Sequence, residues 1–407
     1  MPEKKNVVPR LRFPEFRNAG PWEMKKIGDI FRVTRGEVLS MKLVSESPST
    51  ETPYPVYSSQ TKNNGLSGYY SDYLYEDAIT WTTDGANAGN VKYRKGKFYC
   101  TNVCGVLISE DGYANSFVAE LLNTVTKKHV SYVGNPKLMN GVMAQIQIPF
   151  PQIEEQQKIA DCLSSLDEVI ELQTKKLEAL EGHKKGLMQQ LFPREGETTP
   201  RLRFPEFRNA GPWEVKRLGE VCDVFQGYGF PERLQGKQQG KYPFCKVSDI
   251  TNAVRNAGGH IKKAVNYVDD EDVKGLRAKP MPKGTTIFAK IGEALRLNKR
   301  AFVETECLID NNVVGIKGRD SQAIDYFVFY FSQKIDLNKH CGGAVPSVNK
   351  YTLQSIKIVI PHLPEQQKIA DCLSFLDEVI ELQAKKLEAL ETHKQGLMQQ
   401  LFPQEVG

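Results

Sequence analysis

From Glu155 to Pro193 apolar residues recur in alternating steps of four and three, at Ile159, Leu163, Leu166, Ile170, Leu177, Leu180, Leu187 and Leu191. The run contains no internal proline and no paired glycines. This spacing predicts one long helix with a coiled-coil seam. Gln173 and Lys184 take the two seam positions that the apolar series skips. The series returns at Ile369, Leu373, Leu376, Ile380, Leu387, Leu390, Leu397 and Leu401. At 1.5 Å per residue each helix spans roughly 50 Å. Gly182 and Gly186 in the first copy and Gly396 in the second predict a bend or fraying toward the helix ends. A strand-like run closed by proline precedes each helix, QIQIPFPQ at 145–152 and IKIVIPHLP at 356–364.

The likeness extends beyond periodicity. Segments 155–193 and 365–403 differ only at Ser165/Phe375, Thr174/Ala384, Gly182/Thr392 and Lys185/Gln395, and PRLRFPEFRNAGPWE at 9–23 recurs unchanged at 200–214. Between these copies, 24–153 and 215–363 share almost nothing: TRGEVLSMKLVSESPS in one faces FQGYGFPERLQGKQQG in the other. Both stretches are long enough for an independent core. A frame that repeats while its contents diverge implies recognition of two different things at a fixed separation. Because a rigid helix carries the chain away from the first domain, the second helix must bring it back. The fold expected is α/β: two α/β domains separated by two long antiparallel helices in a pseudo-two-fold tandem repeat. The predicted boundaries are 1–153 for the first domain, 154–193 for the first helix, 194–363 for a short linker and the second domain, and 364–407 for the second helix. Pro9–Trp22 should then lie near Leu401–Pro403, and Pro200–Trp213 near Leu191–Pro193.

Composition narrows the class. The chain has 407 residues, of which 40% are hydrophobic and 25% charged, as expected of a soluble globular protein. No apolar run approaches the ~20 residues needed to span a bilayer, and the start MPEKKNVVPR has no apolar leader core. A cytoplasmic location without membrane partners is expected. The eight cysteines read as reduced, packed thiols. Cys100 and Cys104 form a C-x3-C pair, but no second pair completes four ligands, so no metal is assigned. His129, His260 and His340 have no sequence neighbours that would form a metal or acid-base set.

The net charge is +5, yet both long helical segments are acidic, so the basic surplus lies in the variable domains. There it is interleaved with aromatics and amides, as in SSQTKNNG (58–65), WTTDGANAGNVKYRKGKFY (81–99) and KIGEALRLNKR (290–300). Phosphate contact combined with base-edge reading requires that mixture. Solvated basic loops on an ordinary protein would give the same composition.

The segment IPFPQIEEQQKIADCLSSLDEVIELQTKKLEALEGHKKGLMQQLFP, its second copy, the LRFPEF and GPWE blocks and the LGEV start of the second variable domain resemble the DNA-specificity subunit of type I restriction-modification enzymes. The resemblance spans nearly the whole chain. It implies that two target-recognition domains read an asymmetric bipartite site in double-stranded DNA and that the chain performs no chemistry. It implies as partners two methyltransferase subunits that bind S-adenosylmethionine and two restriction/translocase subunits that use ATP and Mg. No cofactor is expected on this chain. Two alternatives stay open: a specificity module of another modification enzyme lacking a type I nuclease, and a coiled-coil adaptor whose domains bind protein.

The sequence contains neither an (N/D)-P-P-(Y/F) loop, as an adenine methyltransferase would need, nor a G-x4-G-K-(S/T) loop. Phe225-Gln226-Gly227-Tyr228-Gly229 imitates a cofactor turn, but the first domain has Thr34-Arg35-Gly36-Glu37 at the equivalent place. A glycine turn after the first strand explains both. No catalytic residue is assigned. For DNA contact the polar loops nominate Lys62, Asn63, Asn64, Thr83, Asn87, Lys92, Arg94, Lys95 and Lys97 in the first domain. In the second they nominate Tyr228, Lys237, Gln238, Lys246, Ser248, Lys290, Arg296, Asn298, Lys299, Arg300, Asn349 and Lys350. Asn64-Gly65 and Asp84-Gly85 could equally be hairpin turns.

Overall fold

The computed structural model describes residues 7–59, 62–256, 258–342 and 345–403. The chain forms two compact units that do not follow chain order. One joins the residues up to Leu172 with those from Glu388 onward, and the other is Gln173–Leu387. The division cuts both long helices, so each unit holds one globular domain, the beginning of one helix and the end of the other.

The first unit contains β1 (Glu23–Lys26), α1 (Ile27–Ile30), β2 (Arg32–Arg35), β3 (Tyr54–Tyr57), β4 (Leu66–Tyr70), β5 (Tyr75–Thr82), β6 (Val91–Cys100), β7 (Cys104–Ile108), α2 (Ser116–Val125), α3 (Asn140–Gln145), β8 (Gln147–Phe150) and the start of α4 (Ile153–Leu191). Six strands form a sheet in the order β2-β7-β5-β6-β3-β4, parallel only between β3 and β6. In α2, Phe117, Val118, Leu121, Leu122 and Val125 make a buried stripe at helical spacing, and the Asn115 side chain caps the helix by accepting from Val118 N. That stripe packs with Trp22, Ile27, Ile159 and Leu163, and with Leu401 and Phe402 from the far end of the chain.

The second unit contains β9 (Glu214–Arg217), α5 (Leu218–Val221), β10 (Cys222–Gln226), β11 (Tyr242–Cys245), α6 (Val247–Asn256), β12 (His260–Ile261), β13 (Asn266–Val268), α7 (Asp270–Gly275), β14 (Thr286–Ala289), α8 (Gly292–Arg296), β15 (Ala301–Val303), β16 (Leu308–Ile309), β17 (Val313–Gly318), α9 (Asp325–Ser332), α10 (Lys350–Ser355), β18 (Lys357–Ile360) and the start of α11 (Leu363–Leu401). One sheet runs β10-β17-β14-β15-β12 and another β13-β11-β16. Strand for strand this is the first domain with β6 broken in two. Its first half becomes β15, antiparallel to β14, and its second becomes β16, parallel to β11 as β6 is to β3. The added length of the second domain lies largely in α6, β12 and α7. Two unrelated sequences thus build one topology.

The repeated blocks form the same joint in each unit. Arg12 donates from Nε and Nη2 to the two Glu155 carboxylate oxygens, both at 2.6 Å, and from Nη1 to Ala19 O at 2.6 Å. Arg203 does the same to Glu365 at 2.7 Å and to Ala210 O at 2.6 Å. The next residue in each helix, Gln156 or Gln366, donates to the carbonyl of Pro151 or Pro361 at 2.9 and 2.8 Å. Gln156 also accepts from Asn115 at 3.1 Å and Gln366 from Ile324 N at 3.0 Å, which ties the helix start to the domain helix. The Pro…Glu-Gln signature is therefore a hydrogen-bonded corner. Leu11 N donates to Gln400 O and Leu202 N to Gln190 O, each at 3.0 Å, so both PRLRFPEF blocks lie beside a helix end.

Within each unit the two helix segments run antiparallel. Lys394 reaches Asp167 at 2.6 Å in the first unit. In the second, Lys184 reaches Asp377, and Gln383 donates to Gln173 Oε1 at 2.8 Å. The skipped seam positions are thus polar pairs that fix register. The sixteen apolar seam positions are all buried or half-buried, with Ile159, Leu163, Leu191, Ile369, Leu373 and Leu401 fully so. The expected fraying is absent: both helices are continuous for 39 residues, and Gly182, Gly186 and Gly396 sit where a Cβ would meet nothing. Solvent-facing glycine weakens a helix without bending it. The helices also begin two residues before Glu155 and Glu365, at Ile153 and Leu363.

Candidate nucleic-acid interface

In the first domain Asn63 and Asn64 form the β3–β4 hairpin turn, with φ of 48° and 56°, followed by Gly65 at 85°. Both asparagines are exposed, while the side chain of Lys62 lies outside the described residues. Asn64, Lys92 and Arg94 line one cavity of about 310 Å³ together with Ser58, Thr80, Thr82 and Asn90. In register, Lys92 faces Thr80 and Arg94 faces Ala78 across the β5–β6 pair, which puts both basic side chains on one side of the sheet. Asn87, Lys95 and Lys97 are exposed, and Lys97 Nζ lies 4.5 Å from the centre of the Tyr73 ring.

Two nominated residues of this domain are supports instead of free readers. Arg94 is 6% exposed: Nε donates to Thr80 Oγ1 at 3.1 Å, Nη1 donates to Asn64 O at 2.7 Å, and the guanidinium lies 3.8 Å from the centre of the Tyr57 ring. Burial pushes its pKa down. It therefore pins the Asn63-Asn64 turn from beneath. Thr83 is buried as well, its hydroxyl shared between Val103 O and Asp84 Oδ2.

The second domain departs further from the expected set. Arg300 is 4% exposed and donates to the carbonyls of Lys299 and Ile335 and to Asn298 Oδ1, each at 3.1 Å. Burial pushes its pKa down to about 9. Asn298, at φ 52°, spends its amide on Ile335 O and its oxygen on Arg300 and Leu337 N, so the pair braces a loop. Lys237 is held by Asp269 and Asp272, and hydrogen bonding to Asp269 raises its pKa. Asn349 caps α10 by accepting from Thr352 N at 2.9 Å. Burial and distant acceptors thus give Arg300 and Asn298 structural roles in place of DNA contact, whereas Lys237 and Asn349 stay exposed beside their partners.

Among the remaining candidates, Gln238, Ser248, Arg296 and Lys350 are exposed, and Lys290 and Lys299 are half-buried. Lys246 donates to Gln235 at 3.0 Å above the Phe230 ring. Tyr228 accepts from Lys279 N at 3.0 Å. With Lys350 it lines a cavity of about 480 Å³ whose wall includes Gln226 and Lys279, two residues the sequence reading left out. Gln226 lies within the stretch that imitates a cofactor turn, which is where a signal existed.

That turn has a structural cause. A Cβ on Gly227 would lie 1.9 Å from Asp310 O, and one on Gly36 would lie 2.1 Å from Cys100 O. Glu37 bridges Thr101 and Tyr228 bridges Asp310, both in parallel, so the two glycines do the same job. The close backbone crossing accounts for both. Cys100 and Cys104 are buried strand residues, and burial pushes the Cys104 thiol up to about 11. His260 does have a partner: its Nδ1 lies 2.7 Å from Glu304 Oε1, which the sequence separation concealed. Among the described residues no helix is long and apolar enough to cross a membrane.

The family model described as type I restriction modification DNA specificity domain matches residues 20–182 and again 211–392. A type I restriction enzyme specificity subunit of Methanocaldococcus jannaschii, MjaVIII, is 25% identical over 96% of this chain and 93% of its own length. A type I specificity subunit of Mycoplasma pneumoniae is 39% identical over 153 residues, which are 37% of this chain; the match spans about half, 49%, of that relative. The fold is that of the type I restriction-modification S subunit from M. genitalium, with a TM-score of 0.65, 17% identity and coverage of 98% of this chain and 100% of that one. A chain from a structure of type I complex assembly and conformational transition has a TM-score of 0.56 at 15% identity over 95% and 98%. With the family model matched once on each repeat of the frame, the chain belongs to the type I restriction-modification DNA specificity family.

Proposed function

We propose that the chain is the DNA-recognition subunit of a type I restriction-modification complex and performs no chemistry itself. Each α/β domain contacts one half of an asymmetric bipartite duplex site. The observation that carries this reading is the pairing of one topology with two unrelated sets of polar loop residues, on a frame repeated down to its hydrogen bonds. A shared fold with divergent faces suits two half-sites of different sequence. The whole-length match to a type I subunit favours this over a protein-binding adaptor.

Two near-identical frames support two methyltransferase subunits per chain, which would carry S-adenosylmethionine, and two restriction/translocase subunits, which would carry ATP and Mg. Lys92, Lys95 and Lys97 of β6 and Lys350 of the second domain supply phosphate contacts, and the exposed Asn63 and Asn64 offer the paired donor and acceptor that suit base edges. Duplex binding measured across salt concentrations tests the reading. A phosphate-contacting protein loses affinity steeply as salt rises. A flat response would refute it, and mapping of methylated sites in cells carrying the whole system would give the sequence read.

A further inference from the structure

Arg12 and Arg203 are each closed off from solvent against a carboxylate, Glu155 or Glu365, and Arg300 feels the charge of Asp336. Arg94 is buried without an acid. Its two hydrogen bonds go to the Thr80 hydroxyl and the Asn64 carbonyl, both neutral, and its Nη2 donates none among the described residues. The Tyr57 ring beneath the guanidinium offsets only part of the cost of taking a cation out of water. Buried charge is ordinarily paired, so the protein leaves this cation to a partner from outside.

The cavity that Arg94 lines shows the chemistry of that partner. Its wall includes Lys92, Asn90 and Thr82, whose side chains make no hydrogen bond or ion pair among the described residues. No carboxylate lines it among the described residues, and the hairpin that gives Ser58 and Asn64 to the wall, SSQTKNNG at 58–65, contains no acid. Its thiol, Cys104, stays protonated because burial pushes it up to about 11. Two cations beside amide and hydroxyl donors, with no negative group, suit a phosphate. An extruded base would instead need ring faces to stack on. Among the described residues Trp81 is the one aromatic on the wall, and a Cβ on Gly105 would lie 2.1 Å from its ring, so backbone is packed against it.

We propose that this cavity seats a backbone phosphate of the half-site read by the first domain, held between Lys92 and Arg94. The inference rests on the DNA-recognition reading and adds a positioning device to it. Arg94 Nη1 holds the carbonyl of Asn64 at 2.7 Å, and the exposed Asn63-Asn64 turn is the segment offered to base edges. A phosphate on the same guanidinium fixes the register of that turn on the duplex, the division of labour by which phosphate contacts position and base contacts specify.

The test uses the chain in complex with its methyltransferase subunits, on duplexes of the mapped site in which one phosphate at a time is replaced by a neutral methylphosphonate. At one linkage the natural chain should lose affinity roughly tenfold to a hundredfold, the loss expected of a charge-assisted hydrogen bond. At that linkage alone, Lys92→Met and Arg94→Met should bind the substituted and natural duplexes alike, and Lys92→Arg, which keeps the charge, should keep the loss. Thermal melts identify a variant that has merely unfolded. Lys92 is half-buried and holds no other residue by its side chain, so Lys92→Met carries the test even where Arg94→Met does not fold. A full loss at every linkage in Lys92→Met overturns the phosphate seat. So does stabilisation by inorganic phosphate that depends on Lys92 while no linkage depends on it, which would make the cavity a site for a free anion. Duplex binding by the natural chain with no salt dependence means instead that the recognition reading has failed.

Discussion

Arg12 clasps Glu155 through two 2.6 Å hydrogen bonds across 143 positions of sequence, with the two side chains only 8% and 1% exposed. The clasp joins the repeated N-terminal block to the first turn of the long helix, and Arg203 with Glu365 repeats it. Removing one partner leaves an uncompensated buried charge, which costs about 3–5 kcal/mol. Arg12→Met should therefore destabilise the first unit by that order in chemical denaturation, and Arg203→Met the second. A loss below about 1 kcal/mol, the usual worth of a surface pair, would show that the clasp is solvated.

The two crossing glycines make a sharper comparison. Gly36→Ala and Gly227→Ala force a methyl against backbone carbonyls that cannot yield, so each should cost about 1–3 kcal/mol or more. Gly20→Ala and Gly211→Ala, in open space, should cost little. Thermal melts decide the matter. If Gly227→Ala melts like the natural protein, the turn is not a packing constraint and the resemblance to a cofactor loop regains force.

Arg300 and Lys92 should separate structure from contact. Arg300→Ala should lower the stability of the second domain, since three buried hydrogen bonds are lost, and leave the salt slope of DNA binding unchanged. Lys92→Ala should leave stability nearly intact and reduce that slope by about one. The reverse pattern in salt titrations would contradict the assignment of the buried guanidinium to the fold.

The hydrogen bond from Leu11 N to Gln400 O places the beginning of the frame beside the end of the second helix, as Leu202 N to Gln190 O does at the first. A circular permutant that links Pro403 to Pro9 and opens within 194–199 should fold and yield the same methylated sequence. A folded permutant that methylates a different site would show that the linker 194–199 positions the domains.

The burial of Arg300 also predicts a pH response. Its pKa falls to about 9 in the folded chain from an ordinary value near 12.5, so between those values the unfolded chain binds more protons. Stability then gains from this group as pH rises above about 9, and Arg300→Met should abolish the gain. Denaturation midpoints of the two proteins between pH 8 and 10 give the comparison, and parallel curves would refute it.

What repeats and what has local periodicity is legible in the chain without its fold. The duplicated frame, the long helices with their polar seam positions and the strand-proline start of each helix could all be read directly, because a period of 3.5 or 3.6 is visible within a few turns. The glycine turn at Gly36 and Gly227 was legible as a turn, though not as a backbone crossing, since the carbonyl it approaches belongs to a strand tens of residues away. Which cations are held by the fold depends on long-range packing. Arg94 and Lys95 are neighbours in one strand, and period-two alternation together with the covering Asn63-Asn64 turn buries one and exposes the other. Arg300 looked like a reader in a basic loop until Ile335 supplied the carbonyl that holds it. Whether an arginine reaches DNA depends on what distant chain lies over it, and that information is carried by packing, not by the residues beside it.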